Sequence, residues 1–88
     1  MALEWDGAKR AANIRKHGVD FAEAAAFDWD RAITIEDRRL AYGETRLRAL
    51  GLIGERVYVL VYTIRGEAIR IISLRKANRR EMRRYAQG

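Results

Sequence analysis

The sequence predicts an α+β fold with two N-terminal helices, a four-stranded antiparallel sheet and a basic C-terminal helix. Three observations support this: two aspartates in helix-capping positions, four strand-like segments in close succession, and a change to helix-like sequence at Asn78. Strands that follow one another without intervening helices favour antiparallel pairing. Because 88 residues are too few for two cores, we expect one domain over residues 1–88.

Both N-terminal helices are predicted from their ends. Asp6 precedes an alanine-containing segment that runs to His17, and Gly18 then supplies the left-handed conformation that commonly ends a helix. Asp20 is followed three residues later by Glu23, which is the spacing of a capping box. We therefore expect a first helix over residues 7–17 and a short second helix from residue 21.

The middle of the chain predicts the four strands. The first alternates apolar and polar residues, as a half-buried strand does, and the third is the most apolar. Residues 38–44 separate the first two strands; they are polar apart from Leu40 and Tyr42, contain Gly43, and are predicted to form a loop. The predicted strands cover residues 31–37, 45–53, 56–64 and 68–74.

A turn centred on Arg65 and Gly66 is predicted to join the last two strands, which would pair Tyr62 with Ile69. The face expected to form the core would then carry Val57, Val59, Val61, Ile72 and Leu74, with Arg70 among them. The opposite face would carry Tyr58, Leu60, Tyr62, Ile69, Ile71 and Ser73. Its mixture of aromatic and polar groups is typical of a surface that contacts nucleic acid.

The charge of the chain favours a nucleic acid or an acidic protein as partner. Lysine and arginine number 18 against 12 aspartates and glutamates, which gives a formal net charge of +6 and a pI near 10.3. Six of the basic residues lie between positions 75 and 84: Arg75, Lys76, Arg79, Arg80, Arg83 and Arg84. Asn78 and Glu81 form a capping pair, so a helix is predicted to carry most of this run.

Composition also excludes several kinds of site. The chain has no cysteine and one histidine, which excludes disulfides and thiolate metal sites and disfavours multi-histidine zinc sites. We expect no metal and no other cofactor. The longest strongly apolar run, residues 57–62, is far shorter than a membrane span, and the start lacks the pattern of a signal peptide. We expect a cytoplasmic protein.

The two ends of the chain resemble the BrnT family of bacterial type II toxins. In the opening WDGAKRAANIRKHGVDFAEA, the matching residues are Trp5, Asp6, Lys9, Asn13, Lys16, His17, Gly18, Phe21, Glu23 and Ala24. In the closing VYTIRGEAIRIISLRKANRREMRRY, they are Thr63, Arg65, Ile69, Arg70, Ile71, Ser73, Arg75, Ala77, Glu81 and Tyr85. Together the two blocks span nearly the whole chain.

This resemblance implies a fold similar to the RelE and ParE toxins and an RNA-cleaving activity that arrests translation and growth. It also implies a partner, a DNA-binding antitoxin similar to BrnA that masks the toxin, in a complex that represses its own operon. Two alternatives stay open. ParE-like toxins of similar fold poison DNA gyrase without catalysis, and a basic domain can bind nucleic acid without cleaving it.

Metal-independent RNA cleavage requires a base for the ribose 2′-hydroxyl, a cation for the extra charge on phosphorus, and an acid for the leaving oxygen. Arginine suits the second role because it stays charged and binds two phosphate oxygens at once. The candidates for it are Arg65, Arg70 and Arg75. The candidates for proton transfer are His17 and Tyr85, with Asp37 and Glu44 as further carboxylates.

Other cations are expected to hold the RNA backbone or the antitoxin. They are Arg46, Arg48, Lys76, Arg79, Arg80, Arg83 and Arg84.

Purely structural roles are open for several of the candidates. His17 can serve as a helix C-terminal residue, Tyr85 as a buried aromatic of an amphipathic helix, and Arg70 as an ion-pair partner of Glu36 or Asp37. Trp5 and Trp29 are expected in the core.

Overall fold

A computed structural model of the chain describes residues 2–37 and 45–88, which form a five-stranded mixed sheet with helices at its edge and on both faces. The elements in chain order are β1 (Ala2–Trp5), α1 (Gly7–His17), a 3-10 helix (Phe21–Ala26), β2 (Ile33–Asp37), β3 (Arg46–Ile53), β4 (Arg56–Arg65), β5 (Ala68–Lys76) and α2 (Arg79–Gln87). The strand order is β1-β5-β4-β3-β2. Only β1 and β5 pair in parallel, and the other neighbouring strands are antiparallel.

The predicted sheet of four antiparallel strands is wrong because it lacks β1. This strand has four residues and adds to the edge of β5, with Ala2 opposite Ala68 and Trp5 opposite Ile71. Two parallel strands are not joined by a tight turn, so no local sequence pattern predicts their pairing. From the sequence, the N-terminal residues were therefore interpreted only as the segment that precedes the first helix.

The prediction of two N-terminal α-helices is also wrong. The Asp20 cap and its capping box with Glu23 are present, but the segment that they open is a six-residue 3-10 helix. The backbone N–H of Glu23 donates to the carbonyl of Asp20, which is a bond over three residues, and Phe27 is already extended. The cap therefore marked a real helix start without determining the kind of helix.

The remaining elements agree with the predictions to within a few residues. Helix α1 has Asp6 as its N-cap and the left-handed Gly18 as its C-cap, and α2 begins with the predicted capping box of Asn78 and Glu81. Strands β2 to β5 lie where four strands were predicted and pair in sequence order. The loop predicted over residues 38–44 lies outside the described residues.

The predicted turn of the last hairpin is wrong by one residue, and the predicted pairing of its strands is therefore wrong by two. Arg65 pairs with Ala68, so the central turn residues are Gly66 and Glu67, and Tyr62 pairs with Ile71 instead of Ile69. Gly66 has φ of +58° and takes the first central position of the turn, where a type II′ hairpin uses glycine. Beyond the pair of Tyr62 and Ile71, a bulge shifts the register again, so that Val61 pairs with Ser73.

The sheet is buried on both faces, and the prediction of which face forms the main core is wrong. The 3-10 face, which we define as the side covered by residues 19–27, holds the larger core with Tyr58, Leu60, Tyr62, Ile69 and Ile71. Trp5 and Trp29 pack against this core, as predicted. The α2 face, which we define as the side covered by α2, buries Leu50, Val59, Val61 and Ala77 against Met82 and Tyr85.

Leu74 was predicted on the α2 face but lies in the core of the 3-10 face, where it is fully buried. The bulge at Ile72 and Ser73 interrupts the alternation of side chains along β5. The next residue, Arg75, is thereby directed to the α2 face. The bulge thus determines on which side of the sheet this arginine acts.

Gly51 leaves space for the ring of Phe27 on the 3-10 face. A Cβ atom at this position would lie 2.5 Å from the ring of Phe27. The ring is held in place by Trp29, with a centroid distance of 4.9 Å. Gly51 therefore allows residues 19–27 to lie close against the sheet.

Asn13 attaches α1 to the edge of β5 beyond the point where β1 ends. Its Nδ2 donates to the carbonyls of Leu74 at 2.7 Å and Val19 at 2.9 Å, and its Oδ1 accepts from the N–H of Leu74 at 3.2 Å. One buried amide thus satisfies both backbone groups of an edge residue, as a neighbouring strand would. It also fixes the end of α1 next to the end of β5.

Replacing Asn13 is expected to destabilise the fold more than any exposed substitution on the same helix. Asn13→Ala leaves the backbone groups of Leu74 unsatisfied, at a cost of about 1–3 kcal/mol. Asn13→Asp is expected to cost more, because its carboxylate would face two carbonyl oxygens. Urea unfolding of both variants, with the exposed Arg15→Ala as control, measures this, and an Asn13→Asp variant as stable as the control would contradict it.

Candidate active site

Charged side chains from four elements meet on the α2 face. On β3, Leu47 and Ala49 belong to the core of the 3-10 face, so Arg46 and Arg48 point to the opposite side. On β5, Leu74 is in that core, so Arg75 also points to the α2 face. Glu81 of α2 and His17 at the end of α1 complete the group.

Arg75 and Glu81 form a two-point ion pair. Nη1 and Nη2 of Arg75 each donate to one carboxylate oxygen of Glu81 at 2.8 Å. The carboxylate also accepts from the backbone N–H of Asn78 at 2.9 Å, as part of the capping box. The Arg75 bonds are the largest cause of a lowered Glu81 pKa, and the charge of Arg48 acts in the same direction. The pair therefore stays ionised at neutral pH.

His17 lies in an open groove, near enough to Arg75 for the charge of the arginine to act on the imidazole. The groove has a volume of about 370 Å³ and is lined by His17, Lys9, Lys16, Arg46, Ile72 and Ser73, among others. The pKa of His17 is lowered from 6.5 by partial burial, then by the charges of Lys16 and Arg75. The imidazole is therefore neutral at physiological pH and can accept a proton.

A second cleft lies between α2 and strands β2 and β3. Its volume is about 360 Å³. The floor is apolar, with Ile33, Ile35 and Leu50, and the cations Arg48, Arg80 and Arg84 line it as well. Apolar walls with cations at the rim can accommodate a base and its phosphate.

Arg65 lies apart from this group. It pairs with Ala68 at the tip of the last hairpin, whereas Arg75 is opposite Val59. Six residues of β4 separate the two positions, which corresponds to about 20 Å along the strand. The structure therefore separates Arg65 from Arg75, two of the three arginines predicted to stabilise the charge on phosphorus.

Arg70 has a different partner from the one predicted. Its Nη1 donates to Glu4 of β1 at 2.7 Å. Strand β2, which carries the predicted partners Glu36 and Asp37, lies at the opposite edge of the sheet from β1. Arg70 therefore ties β1 to β5. Glu44 and the side chain of Asp37 lie outside the described part of the chain.

The other predicted residues divide between packing and surface positions. Tyr85 is half-buried and packs against the core of the α2 face. Lys76 pairs with Tyr58, a residue of the 3-10 face, so it points away from Arg75. The exposed cations on α2 are Arg79, Arg80, Arg83 and Arg84.

Two contributors to this site were not predicted from the sequence. Glu81 was predicted only as a capping residue. Its position six residues after Arg75, at the end of a strand, could have indicated an ion pair between the two. Asn13, which brings His17 to β5, gave no separate signal because polar residues are common on helices. Within residues 2–37 and 45–88, no group of acidic, histidine or cysteine side chains could hold a metal ion.

Comparison with known families agrees with the resemblance seen in the sequence. A family model described as a ribonuclease toxin, BrnT, of type II toxin-antitoxin systems matches residues 5–81. A search of curated proteins finds no match. None of the helices described is long and apolar enough to cross a membrane.

The His17 pKa tests whether Arg75 lies close to the imidazole. We expect a pKa below 6.5 in the parent and a higher value in Arg75→Ala, because removing a neighbouring positive charge favours the protonated ring. An NMR titration reads this directly, since His17 is the only histidine. Arg65→Ala, with its charge about 20 Å from Arg75 and screened by salt, is the control. Equal values in the parent and Arg75→Ala would contradict the geometry.

Proposed function

The chain belongs to the BrnT family of ribonuclease toxins of type II toxin-antitoxin systems, and we propose that it cleaves RNA by attack of a ribose 2′-hydroxyl on the adjacent phosphorus, without a metal ion. One observation carries this mechanism. The charge of Arg75, whose guanidinium is held by Glu81, contributes to the lowered pKa that keeps His17 neutral, and the same face also carries Arg46 and Arg48. These groups match the needs of the reaction for a base and for positive charge.

The first step removes a proton from the 2′-hydroxyl. We assign this to His17, because its lowered pKa keeps the ring in the form that accepts a proton. The oxygen then forms a bond to phosphorus, and negative charge accumulates on the non-bridging phosphate oxygens. We assign the stabilisation of that charge to Arg75, which can present N–H donors in a fixed direction.

The second step breaks the bond from phosphorus to the 5′-oxygen of the next nucleotide. This oxygen leaves with the electron pair and takes up a proton, for which Tyr85 on the same face is our candidate. The products are a 2′,3′-cyclic phosphate and a free 5′-hydroxyl. No water is consumed in this transfer, and no cofactor is required.

The remaining cations are proposed to hold the RNA chain. Arg46 and Arg48 would contact phosphates close to the cleaved bond, and the exposed arginines of α2 extend the positive surface along the helix. Arg65 and Arg70 are proposed to contact RNA farther from the cleaved bond. Binding of this kind weakens as salt concentration rises, because counterions are released.

A type II toxin has an antitoxin, and we propose that this partner resembles BrnA and binds DNA. Acidic residues of the antitoxin would cover the basic surface formed by Arg79, Arg80, Arg83 and Arg84, which blocks RNA from the same face. The complex would bind its own operator and repress its operon. Since RNA and the translation machinery are the targets, we expect the toxin to act in the cytoplasm.

Two other functions considered from the sequence are now less favoured. A gyrase poison or a non-catalytic nucleic-acid-binding domain needs positive charge but no base beside it. The description of the family as ribonuclease toxins favours the catalytic function over both. A supercoiling assay discriminates the gyrase poison, and salt-sensitive binding without cleavage would indicate the binding domain.

Cleavage of purified RNA in the presence of EDTA tests the proposed function. We expect the parent to cleave and Arg75→Ala to lose at least about 100-fold in kcat, because a donor to the transition state is removed. Arg15→Ala removes the same charge from an exposed position on α1 and is expected to retain activity. Thermal unfolding verifies that each variant is folded.

Two results would contradict the proposal. A parent that cleaves only when a divalent metal is supplied would exclude the metal-independent reaction. A folded Arg75→Ala that is as active as Arg15→Ala would exclude Arg75 from the site.

A further inference from the structure

The Glu81 carboxylate binds Arg75 at two nitrogens, and we propose that it is a positioning residue of the ribonuclease site. Glu81 acts through Arg75, because it holds the guanidinium in one orientation. Its negative charge also lowers the affinity of the site for RNA. This inference rests on the proposed function, because it assigns Glu81 a part in the same reaction.

The bonds of Glu81 hold Arg75 at two nitrogens, and Nη1 of the arginine also donates to the carbonyl of Lys76 at 3.4 Å. Two parallel bonds, each 2.8 Å, join Nη1 and Nη2 of the arginine to the two carboxylate oxygens. A guanidinium held at two nitrogens cannot rotate about its long axis without breaking both bonds. The side chain of Arg75 is 29% exposed and that of Glu81 is 14% exposed, so the pair is shielded from water more than a typical surface ion pair.

Glu81 is itself fixed by the start of α2. Its oxygen Oε1 accepts from the N–H of Asn78 at 2.9 Å, and its own N–H donates to Oδ1 of Asn78 at 2.9 Å. These reciprocal bonds form the capping box that opens the helix. The orientation of Arg75 is thereby linked to the backbone and does not depend on a flexible side chain alone.

Glu81 is not suited to be the base of the reaction. Its pKa is lowered, first by the bonds from Arg75 and further by the charge of Arg48. A carboxylate stabilised in this way is a weak proton acceptor. Its effect on the chemistry must therefore pass through the arginine that it binds.

The negative charge of Glu81 has a second consequence. It lies close to Arg75 and Arg48, so it offsets part of the positive potential that attracts phosphate. Removing that charge should strengthen RNA binding while it loosens Arg75. A positioning role therefore predicts opposite effects on binding and on the chemical step, whereas a purely structural role predicts no such separation.

The variant Glu81→Gln tests this. Glutamine keeps the size of the side chain and can still cap the helix, but it loses the charge that holds Arg75. We expect kcat for RNA cleavage to fall about 10- to 100-fold, since a misplaced catalytic group costs on that order. We expect KM to stay the same or to fall.

The matched control is Asn78→Ala. It removes the other half of the capping box and lowers helix stability, but it leaves the bonds between Glu81 and Arg75 possible. We expect its kcat to stay within a few-fold of the parent value. If Glu81→Gln and Asn78→Ala lower kcat equally, or if Glu81→Gln raises kcat, the positioning role is overturned.

A measurement without catalysis separates failure of this inference from failure of the proposed function. In ¹⁵N NMR spectra, the guanidinium of Arg75 should give ordered, slowly exchanging signals in the parent and averaged signals in Glu81→Gln. Averaged signals in the parent, or no change in the variant, would overturn the inference whatever the enzyme does. Ordered parent signals in a protein that cleaves no RNA would instead contradict the proposed function.

Discussion

The contact between Asn13 and the backbone of Leu74 is the constraint on which the candidate site depends. Strand β1 covers the edge of β5 only as far as Ile71, and beyond that point the amide of Asn13 satisfies the edge. Leu74, whose backbone Asn13 binds, immediately precedes Arg75. His17 follows Asn13 by one helical turn. A single buried hydrogen-bonding group thereby brings together the end of a helix and the end of a strand, and with them the proposed base and the proposed cation.

The bulge in β5 is the second element of this arrangement. Without it, the side chains of Leu74 and Arg75 would exchange faces, and the arginine would point into the larger core. With it, one strand supplies a core residue to the 3-10 face and a cation to the α2 face. The basic helix then begins directly after the strand, so that Glu81 can bind Arg75. Stability and proposed catalysis thus draw on neighbouring residues of the same short segment.

The sequence predicted the local features of this fold well and the non-local ones poorly. Caps at Asp6, Gly18 and Asn78 depend on neighbouring residues, and the structure has them where they were predicted. Strand β1 and the hairpin register depend on pairing with distant residues or on a one-residue choice of turn, so they were missed. For the site, residue chemistry identified His17 and Arg75 as candidates, but only the fold indicates that these two lie near each other and that Arg65 lies apart.

The most direct test of the central claim uses an RNA in which the nucleotide at the cleavage position carries a 2′-deoxyribose. If the toxin uses the 2′-hydroxyl as nucleophile, the unmodified RNA yields fragments with 2′,3′-cyclic phosphate ends, and the deoxy substitution abolishes cleavage at that position alone. Cleavage of the deoxy RNA, or product ends that carry a 5′-phosphate, would contradict the proposed roles of His17 and Arg75, because another nucleophile would then attack the phosphorus.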